Sequence, residues 1–204
     1  MKPEGHARLF GAGLADGPFP EHYEPLESPV ENLLHPDVPN DPTIKLWISK
    51  MDKVAVDKAK LPEMAKVAVD KNNFPIIATT FRLTEHHQGG GMTRNLPWLV
   101  EMMPEMFVEM SKSLAQEKGI KNGEKVKVVS ARGEIEAIAC VTDRFKPFRL
   151  NGKDYEEIGL PWHWGYAGLA TGHSANRLTP HIGDANTMIP EYKAFLCDVR
   201  KEVS

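Results

Sequence analysis

The chain has 204 residues, of which 41% are hydrophobic and 26% are charged, and its formal net charge is -3. This composition is that of an ordinary folded domain, and it excludes disordered and fibrous proteins. Because binding to a phosphate backbone normally needs a clustered excess of Lys and Arg, the slightly acidic balance also predicts no nucleic-acid partner.

Apolar runs and cysteines set further limits. No run approaches the roughly 18 to 20 apolar residues of a bilayer-spanning helix, and Met1 to Phe10 lack the apolar stretch of a secretory signal, so we expect a soluble, uncleaved chain without direct membrane insertion. Cys140 and Cys197 are the only cysteines, too few for an iron–sulfur cluster or a Cys-rich zinc site. Both lie in apolar runs, which favours buried, unreactive thiols.

The N-terminal region is rich in proline. The segment GPFPEHYEPLESPVENLLHPDVPNDP (17–42) contains seven prolines, each of which disfavours helix at the preceding residue. Its apolar side chains are too frequent for a free linker, so we expect residues 1–44 to form an extended arm along the surface of this domain or of a partner. Residues 45–204 are predicted to form the domain itself, beginning with a charged peripheral helix–turn segment at 45–71.

The next elements are a strand, a polar loop and a helix. FPIIATTF (74–81) predicts a buried strand, and the glycine-rich RLTEHHQGGGMTRN (82–95) follows it, in the kind of position where ligands are often held. A helix is predicted from Pro104 to Lys118, because Phe107, Met110 and Leu114 follow a helical spacing and a glycine comes next.

The C-terminal half alternates with period two. EKVKVVS and EIEAIACVT predict a β-hairpin around Ala131-Arg132-Gly133, and a second hairpin is expected around Asn151-Gly152. YKAFLCDVR (192–200) predicts a closing strand. Many strands, few helices and no βαβ alternation favour a barrel or a sandwich over a doubly wound sheet.

Three polar clusters are candidate binding elements. In the first, 82–94, consecutive histidines cannot place zinc ligands on one face, and neither a P-loop nor a Rossmann glycine pattern is present. Its adjacent glycines would let backbone amides approach a ligand, and its arginines suit phosphate. The second, PWHWGY (161–166), is either a stacking site or an aromatic corner of the core, and the third, 175–193, is either a binding segment or an ordinary polar loop. No spacing supports a catalytic triad, so we expect no catalytic and no metal-binding residue.

Five collinear segments stand out along the chain. They are GPFPEHYEP (17–25), TTFRLTEHHQGGGMTRN (79–95), PEMFVEMSKSLAQEKGIKNGEKV (104–126), GLPWHWG (159–165) and NRLTPHIGDANTMIPEYKAF (176–195). Together they resemble the C-terminal part of the large subunit of molybdenum or tungsten formate dehydrogenases. The resemblance implies a molybdopterin-dinucleotide-binding domain of the dimethyl sulfoxide reductase superfamily. Its fold would be mainly β (α+β), a six-stranded double-psi type β-barrel with a few peripheral helices and an extended N-terminal arm.

In that family formate is oxidised at a metal whose ligands come from the pterins and from earlier domains. The resemblance therefore implies that this chain holds molybdopterin guanine dinucleotide, that the full subunit holds Mo or W, and that the chain alone is inactive. The implied partners are the remaining domains of the large subunit and an iron–sulfur electron-transfer subunit. The parent enzyme would be periplasmic if it follows the nearest family branch and cytoplasmic otherwise. The alternatives are the same domain of a nitrate reductase or another superfamily oxidoreductase, and a non-catalytic β-barrel interaction module.

The resemblance also implies a set of cofactor-binding residues. Those along the pterin and phosphate path would be Thr80, Arg82, Glu85 and His86, with donors from Gly89, Gly90, Gly91 and Thr93. Those over the rings would be His163 and Trp164, those bonding pterin or phosphate atoms would be Asn176 and Thr179, and those closing the far side would be Tyr192 and Lys193. His87 and Gln88 depart from the family pattern, so no role is carried over to them.

Overall fold

Six strands close into a barrel. In order around the barrel they are β1 (Ile76–Phe81), β7 (Glu157–Pro161), β2 (Phe107–Met110), β4 (Gly133–Val141), β3 (Lys125–Ser130) and β8 (Phe195–Lys201). The computed structural model describes residues 3–5, 24–31, 33, 71–180, 182–183, 187 and 189–202. The predicted six-stranded, mainly β barrel is confirmed.

The barrel mixes strand directions. β1 runs parallel to β7 and β2 runs parallel to β4, whereas the other four neighbouring pairs are antiparallel. Alternate residues of β1 and β3, such as Ile76, Ala78, Val126 and Val128, are buried in the core. Closure pairs both edges of every strand, so the hydrophobic interior needs no second sheet to cover it.

The predicted helix at 104–118 is wrong in its first half. Phe107–Met110 form β2, which pairs with β4 and β7, and only Lys112–Lys118 form a helix, α2. Ser111 ends the strand and starts the helix, because its hydroxyl accepts a hydrogen bond from the backbone N–H of Leu114. Gly119, at φ 65°, closes the helix as predicted.

The other predicted strands are present. The first hairpin joins β3 to β4, and the second joins β5 (Phe148–Leu150) to β6 (Lys153–Tyr155) across Asn151 and Gly152, both at positive φ. A further helix, α1 (Pro97–Met102), and two short 3₁₀ turns, Thr93–Asn95 and Ala175–Arg177, complete the elements. Within the residues described, no helix is both long and apolar enough to cross a bilayer.

Both cysteines are free thiols. Cys197 is buried in β8 and Cys140 is half-buried in β4, and burial raises the pKa of each thiol. A raised pKa leaves little thiolate at neutral pH, in agreement with the predicted unreactive cysteines.

Part of the predicted arm lies within the described residues. Glu27 is only 2% exposed, and its carboxylate binds Arg132 and the backbone N–H of Leu196. At Glu27, therefore, the arm packs on this domain. The helix–turn segment predicted at 45–71 lies, apart from Lys71, outside the described residues, and the boundary between residues 44 and 45 stays a prediction.

Candidate binding site

Three segments meet at one end of the barrel. Because β1 and β7 are parallel neighbours, their carboxyl ends lie together, and β8, which is antiparallel to β1, begins at the same place. The polar segments after β1 (82–96), after β7 (162–180) and before β8 (189–194) therefore converge. We call this the site end of the barrel.

Thr80 joins the end of β1 to the start of β8. Its hydroxyl donates to the backbone O of Tyr192 at 3.0 Å, and Lys193 Nζ donates to the backbone O of Thr80 at 2.5 Å. Thr80 is buried, whereas Lys193 is exposed. Partial desolvation of the amino group, together with the neighbouring Arg82 guanidinium, lowers the pKa of Lys193. The structure thus brings these predicted residues together.

A cation and two aromatic rings form a face beside Lys193. Phe81 pairs in register with Pro161, so Arg82 and Trp162 are the next residues on neighbouring strands. The Arg82 guanidinium carbon lies 5.1 Å from the centroid of the Trp162 ring, and that ring lies 6.0 Å from the Tyr192 ring. In the part of the chain that the structure describes, no carboxylate forms an ion pair with Arg82 or Lys193.

Trp162 is absent from the residues predicted at this site. Its indole Nε1 is buried and has no hydrogen-bond partner among the described residues. The motif PWHWGY contains two tryptophans, and the resemblance pointed to Trp164. The parallel β1–β7 register, which the sequence does not reveal, puts Trp162 beside Arg82 instead.

Both ring nitrogens of His163 bind the backbone of the loop after β1. His163 Nε2 accepts from the backbone N–H of Leu83 at 2.6 Å, so its Nδ1 carries the proton and donates to the backbone O of Gln88. Burial lowers the pKa of His163, which favours this neutral form. The ring of His163 thus fixes the backbone of the loop after β1 at Leu83 and at Gln88.

The ring of His86 bridges two segments. Its Nε2 donates to the backbone O of Met103 at 3.0 Å, and its Nδ1 lies 3.1 Å from the Thr93 hydroxyl. Because a carbonyl only accepts, the proton lies on Nε2 and the hydroxyl of Thr93 donates to Nδ1. The same hydroxyl accepts from the backbone N–H of His87 at 3.1 Å.

Trp164 packs against both histidines. It is 2% exposed, and its ring centroid lies 5.7 Å from that of His86 and 6.1 Å from that of His163, in edge-on arrangements. This is the aromatic-corner interpretation of PWHWGY. Contact of these three rings with a ligand stays a prediction.

The glycines of the loop divide into one packed residue and two open ones. Gly90 has φ 76°, and a Cβ added there would overlap the backbone O of His163. Gly89 and Gly91 are exposed, and a Cβ on either would meet nothing within 4 Å. Their backbone is therefore open to a ligand, while Gly90 fixes the loop.

Arg94 connects the loops after β1 and β7. Its Nε donates to the backbone O of Gly90 at 3.2 Å, and its Nη1 donates to the backbone O of Ala167 at 2.5 Å. The backbone O of Arg94 in turn accepts from the N–H of Leu169 at 2.8 Å. This arginine thus holds the two loops together.

Three predicted residues are not joined to this cluster by a hydrogen bond or ring contact within the described residues. Glu85 is half-buried in the loop after β1. Asn176 is exposed, and its backbone O accepts from the buried Thr179 hydroxyl at 3.4 Å. The described residues also contain no group of three His, Cys, Asp or Glu side chains suited to a metal ion.

The chemistry of the site end fits a phosphate-bearing ligand with aromatic rings. Arg82 and Lys193 provide cations, and exposed glycine backbone provides room for close approach. The Trp162 and Tyr192 rings offer stacking surface. A nucleotide or a dinucleotide has this combination of groups.

Comparison with known proteins agrees with this chemistry. Residues 76–196 match the family model described as "Molydopterin dinucleotide binding domain". The chain is 45% identical over 202 residues to the formate dehydrogenase subunit alpha of Megalodesulfovibrio gigas, covering 98% of this chain and 18% of that protein. It is 46% identical over 204 residues to the nitrate-inducible formate dehydrogenase major subunit of Escherichia coli, again covering 98% and 18%. The chain thus spans less than a fifth of the length of these relatives.

A solved structure supports the fold. The acetylene hydratase of Pelobacter acetylenicus aligns with a TM-score of 0.50 and 16% sequence identity, covering 77% of this chain and 23% of that one. At this identity the likeness concerns the fold alone.

Proposed function

The chain belongs to the molybdopterin dinucleotide-binding domain family, and on this premise we propose that it is the C-terminal cofactor-holding domain of a formate dehydrogenase large subunit. The observation that supports the proposal most directly is the site end of the barrel. There Arg82 and Lys193 have no carboxylate partner among the described residues and lie beside the neighbouring rings of Trp162 and Tyr192. An anionic dinucleotide supplies what both groups lack.

Each side chain has a role that its chemistry suits. Arg82 offers a fork of N–H donors to a phosphate, and Lys193 offers a compact ammonium. The exposed backbone at Gly89 and Gly91 lets a phosphate come close. Trp162, half-buried beside Arg82, presents its ring face to a guanine or pterin ring. The bound group would be molybdopterin guanine dinucleotide.

Three further residues fix the conformation of the loop after β1. His163, in its neutral form, holds the backbone of the loop after β1. His86 joins that loop to Met103, and Arg94 joins it to the loop after β7. When bound, the cofactor supplies the two-electron oxidation of formate to CO₂ at its metal. The chain itself contributes binding, orientation and exclusion of water.

The rest of the proposal concerns the parent enzyme. The remaining domains of the large subunit would close over the site end and hold Mo or W, and an iron–sulfur subunit would accept the electrons. The relatives named above are formate dehydrogenase subunits, which favours formate as the substrate. Alone, the chain would bind nucleotide without turning over formate.

The test is isothermal titration of the full chain with GDP and with GMP. Arg82→Ala and Lys193→Ala should each weaken GDP binding by about 10-fold, because each removes a charge-assisted hydrogen bond. Arg149→Ala and Lys112→Ala are matched controls, because both residues are exposed, pair with aspartates and lie away from the site end. Their affinity should equal that of the unmodified chain.

A second arm of the test uses the rest of the subunit. Co-expression of the remaining domains with this chain should recover molybdopterin guanine dinucleotide and formate-dependent dye reduction. Recovery of nitrate-dependent activity instead would assign the chain to a nitrate reductase. Failure to bind GDP at millimolar concentration, together with failure to recover cofactor, would favour a non-catalytic interaction module.

A further inference from the structure

The most deeply buried charges of the described residues lie away from the proposed ligand contacts. The side chains of Glu27 and Arg132 are both 0% exposed and form an ion pair, with Arg132 Nη2 donating to Glu27 Oε2 at 2.9 Å. Glu27 comes from the arm, 105 residues before Arg132, which lies in the turn between β3 and β4.

Two further hydrogen bonds of this pair go to the two ends of one stretch of chain. Arg132 Nε donates to the backbone O of Leu178 at 2.7 Å, and Glu27 Oε2 accepts from the backbone N–H of Leu196 at 2.9 Å. Between these ends lie three of the predicted cofactor residues, Thr179, Tyr192 and Lys193. One ion pair thus sets where the stretch begins and where it ends.

A second contact joins the arm to the same stretch. The backbone N–H of Leu26 donates to Glu191 Oε2 at 3.5 Å, next to Tyr192. The arm therefore meets the stretch beside the residues that flank the proposed site. It does so from a region that the resemblance treats only as an extension of the domain.

Stability alone is a poor reason for such a pair. Desolvating two charges is costly, and a buried ion pair can often be replaced by apolar residues with no loss of stability. What an arginine–carboxylate fork adds is direction, because its donors and acceptors fix the positions of the groups they bind. Here those groups are the carbonyl of Leu178 and the amide of Leu196.

We propose that the Glu27–Arg132 pair is a positioning device, through which the N-terminal arm holds the stretch from Leu178 to Leu196 in its ligand-binding arrangement. This rests on the proposed function, since the stretch matters as part of the cofactor site. Glu27 and Arg132 touch no ligand in this scheme. They act through Tyr192 and Lys193, which the stretch carries to the site end.

The test replaces the pair by apolar residues of similar size, Glu27→Leu with Arg132→Met, in the full chain. The double variant should melt at a lower temperature than the unmodified chain, because the buried Leu178 carbonyl and Leu196 N–H lose their partners. Amide exchange at 189–196 should become at least about 10-fold faster, while β3 and β4 keep their protection. The Kd for GDP should rise about 10-fold if a tenth of the molecules keep the binding arrangement.

The matched control removes a neighbouring exposed pair, Lys127→Met with Glu134→Leu, whose charged atoms are 2.8 Å apart across β3 and β4. It should change neither exchange at 189–196 nor the Kd. A Glu27/Arg132 double variant that keeps both native exchange and native affinity would overturn the proposal. If the unmodified chain binds no GDP, the proposed function fails. Amide exchange needs no ligand, so it still tests the positioning role in that case.

A single substitution covers the case in which the double variant does not fold. Arg132→Lys keeps a buried cation beside Glu27 but removes the Nε donor to Leu178. Exchange should then become faster at Leu178 and Thr179 and stay slow at Leu196, whose amide still has Glu27 as its acceptor. Equal acceleration at both ends, or at neither, would contradict the proposal.

Discussion

At the site end Arg82 and Lys193 have no carboxylate partner among the described residues, whereas at the end of the barrel where β2 and β4 finish several polar and charged side chains pair with one another. Glu156 there accepts from the hydroxyls of Ser111 and Ser113, both at 2.5 Å, and Lys112 pairs with Asp143 at 2.7 Å. We call this the capped end, since α2 begins at it. At the site end the corresponding cations face rings and backbone carbonyls instead.

The difference shows that affinity for an anion is a local property. The whole chain has a net charge of -3, which argues against nucleic acid as a partner. Yet Arg82 and Lys193 are close enough for the charge of Arg82 to lower the pKa of Lys193. Two cations held near each other without a carboxylate repel each other, and a bound phosphate would offset this repulsion. At the capped end the exposed cation Lys112 already has Asp143 as its partner.

The largest expected difference between the two ends is the loss of unfolding free energy when a glycine is replaced by alanine. Gly90→Ala at the site end adds a Cβ that overlaps the backbone O of His163 in a left-handed conformation, and we expect a loss of about 2–5 kcal/mol of unfolding free energy. Gly119→Ala, where α2 ends, adds a Cβ with nothing within 4 Å. It should cost only about 1–2 kcal/mol for the left-handed backbone.

Urea unfolding of both variants measures the two free energies directly. GDP binding should fall with Gly90→Ala and stay unchanged with Gly119→Ala, because only the first displaces the loop after β1. Equal destabilisation by the two substitutions would mean that this loop moves away from His163 at little cost. The site end would then be no more tightly packed than the end of an exposed helix.

The next effect depends on pH. Burial lowers the pKa of His163 below its ordinary value of 6.5, so the folded chain binds fewer protons than the unfolded chain in the interval below pH 6.5. The stability from this group is therefore complete above pH 6.5 and is lost as the pH falls toward the folded-state pKa. The slope should reach at most about 1.4 kcal/mol per pH unit.

His163→Gln provides the comparison for this pH dependence. The variant should lose about 1–3 kcal/mol at pH 7.5, because the Leu83 N–H and the Gln88 carbonyl lose well-placed partners. Between pH 7.5 and 5 its unfolding free energy should fall less steeply than that of the unmodified chain. Identical slopes would show that another group carries the dependence. Both chains contain the same carboxylates, so the contribution of carboxylate titration cancels when the two unfolding free energies are subtracted.

What could be predicted from the sequence follows from how local each signal is. The Asn151-Gly152 turn and the alternating strands were predictable, because turn chemistry and period-two burial act over a few residues. Phe107–Met110 misled, because a four-residue strand can carry the same i, i+3 spacing as a helix. There the pairing with β4 and β7 overrides the local pattern.

The site was predictable in outline and not in arrangement. The resemblance indicated Arg82, Tyr192 and Lys193, which the barrel does bring together. The position of Trp162 depends on the β1–β7 register, and the burial of Glu27 depends on a contact across 105 residues. Neither leaves a periodic signal in the sequence. Such long-range contacts become visible only once the barrel is closed.

The smallest effect should come from the capped end and should leave the site untouched. Ser111→Ala removes the acceptor for the Leu114 N–H at the start of α2 and one of two hydroxyls bound to Glu156, so we expect a loss of about 1 kcal/mol. The Ser113 hydroxyl still binds Glu156, which limits the damage. Urea unfolding should register this loss while the Kd for GDP stays constant. A weaker GDP affinity in this variant would mean that the two ends of the barrel are coupled, and the contrast between the capped end and the site end would fail.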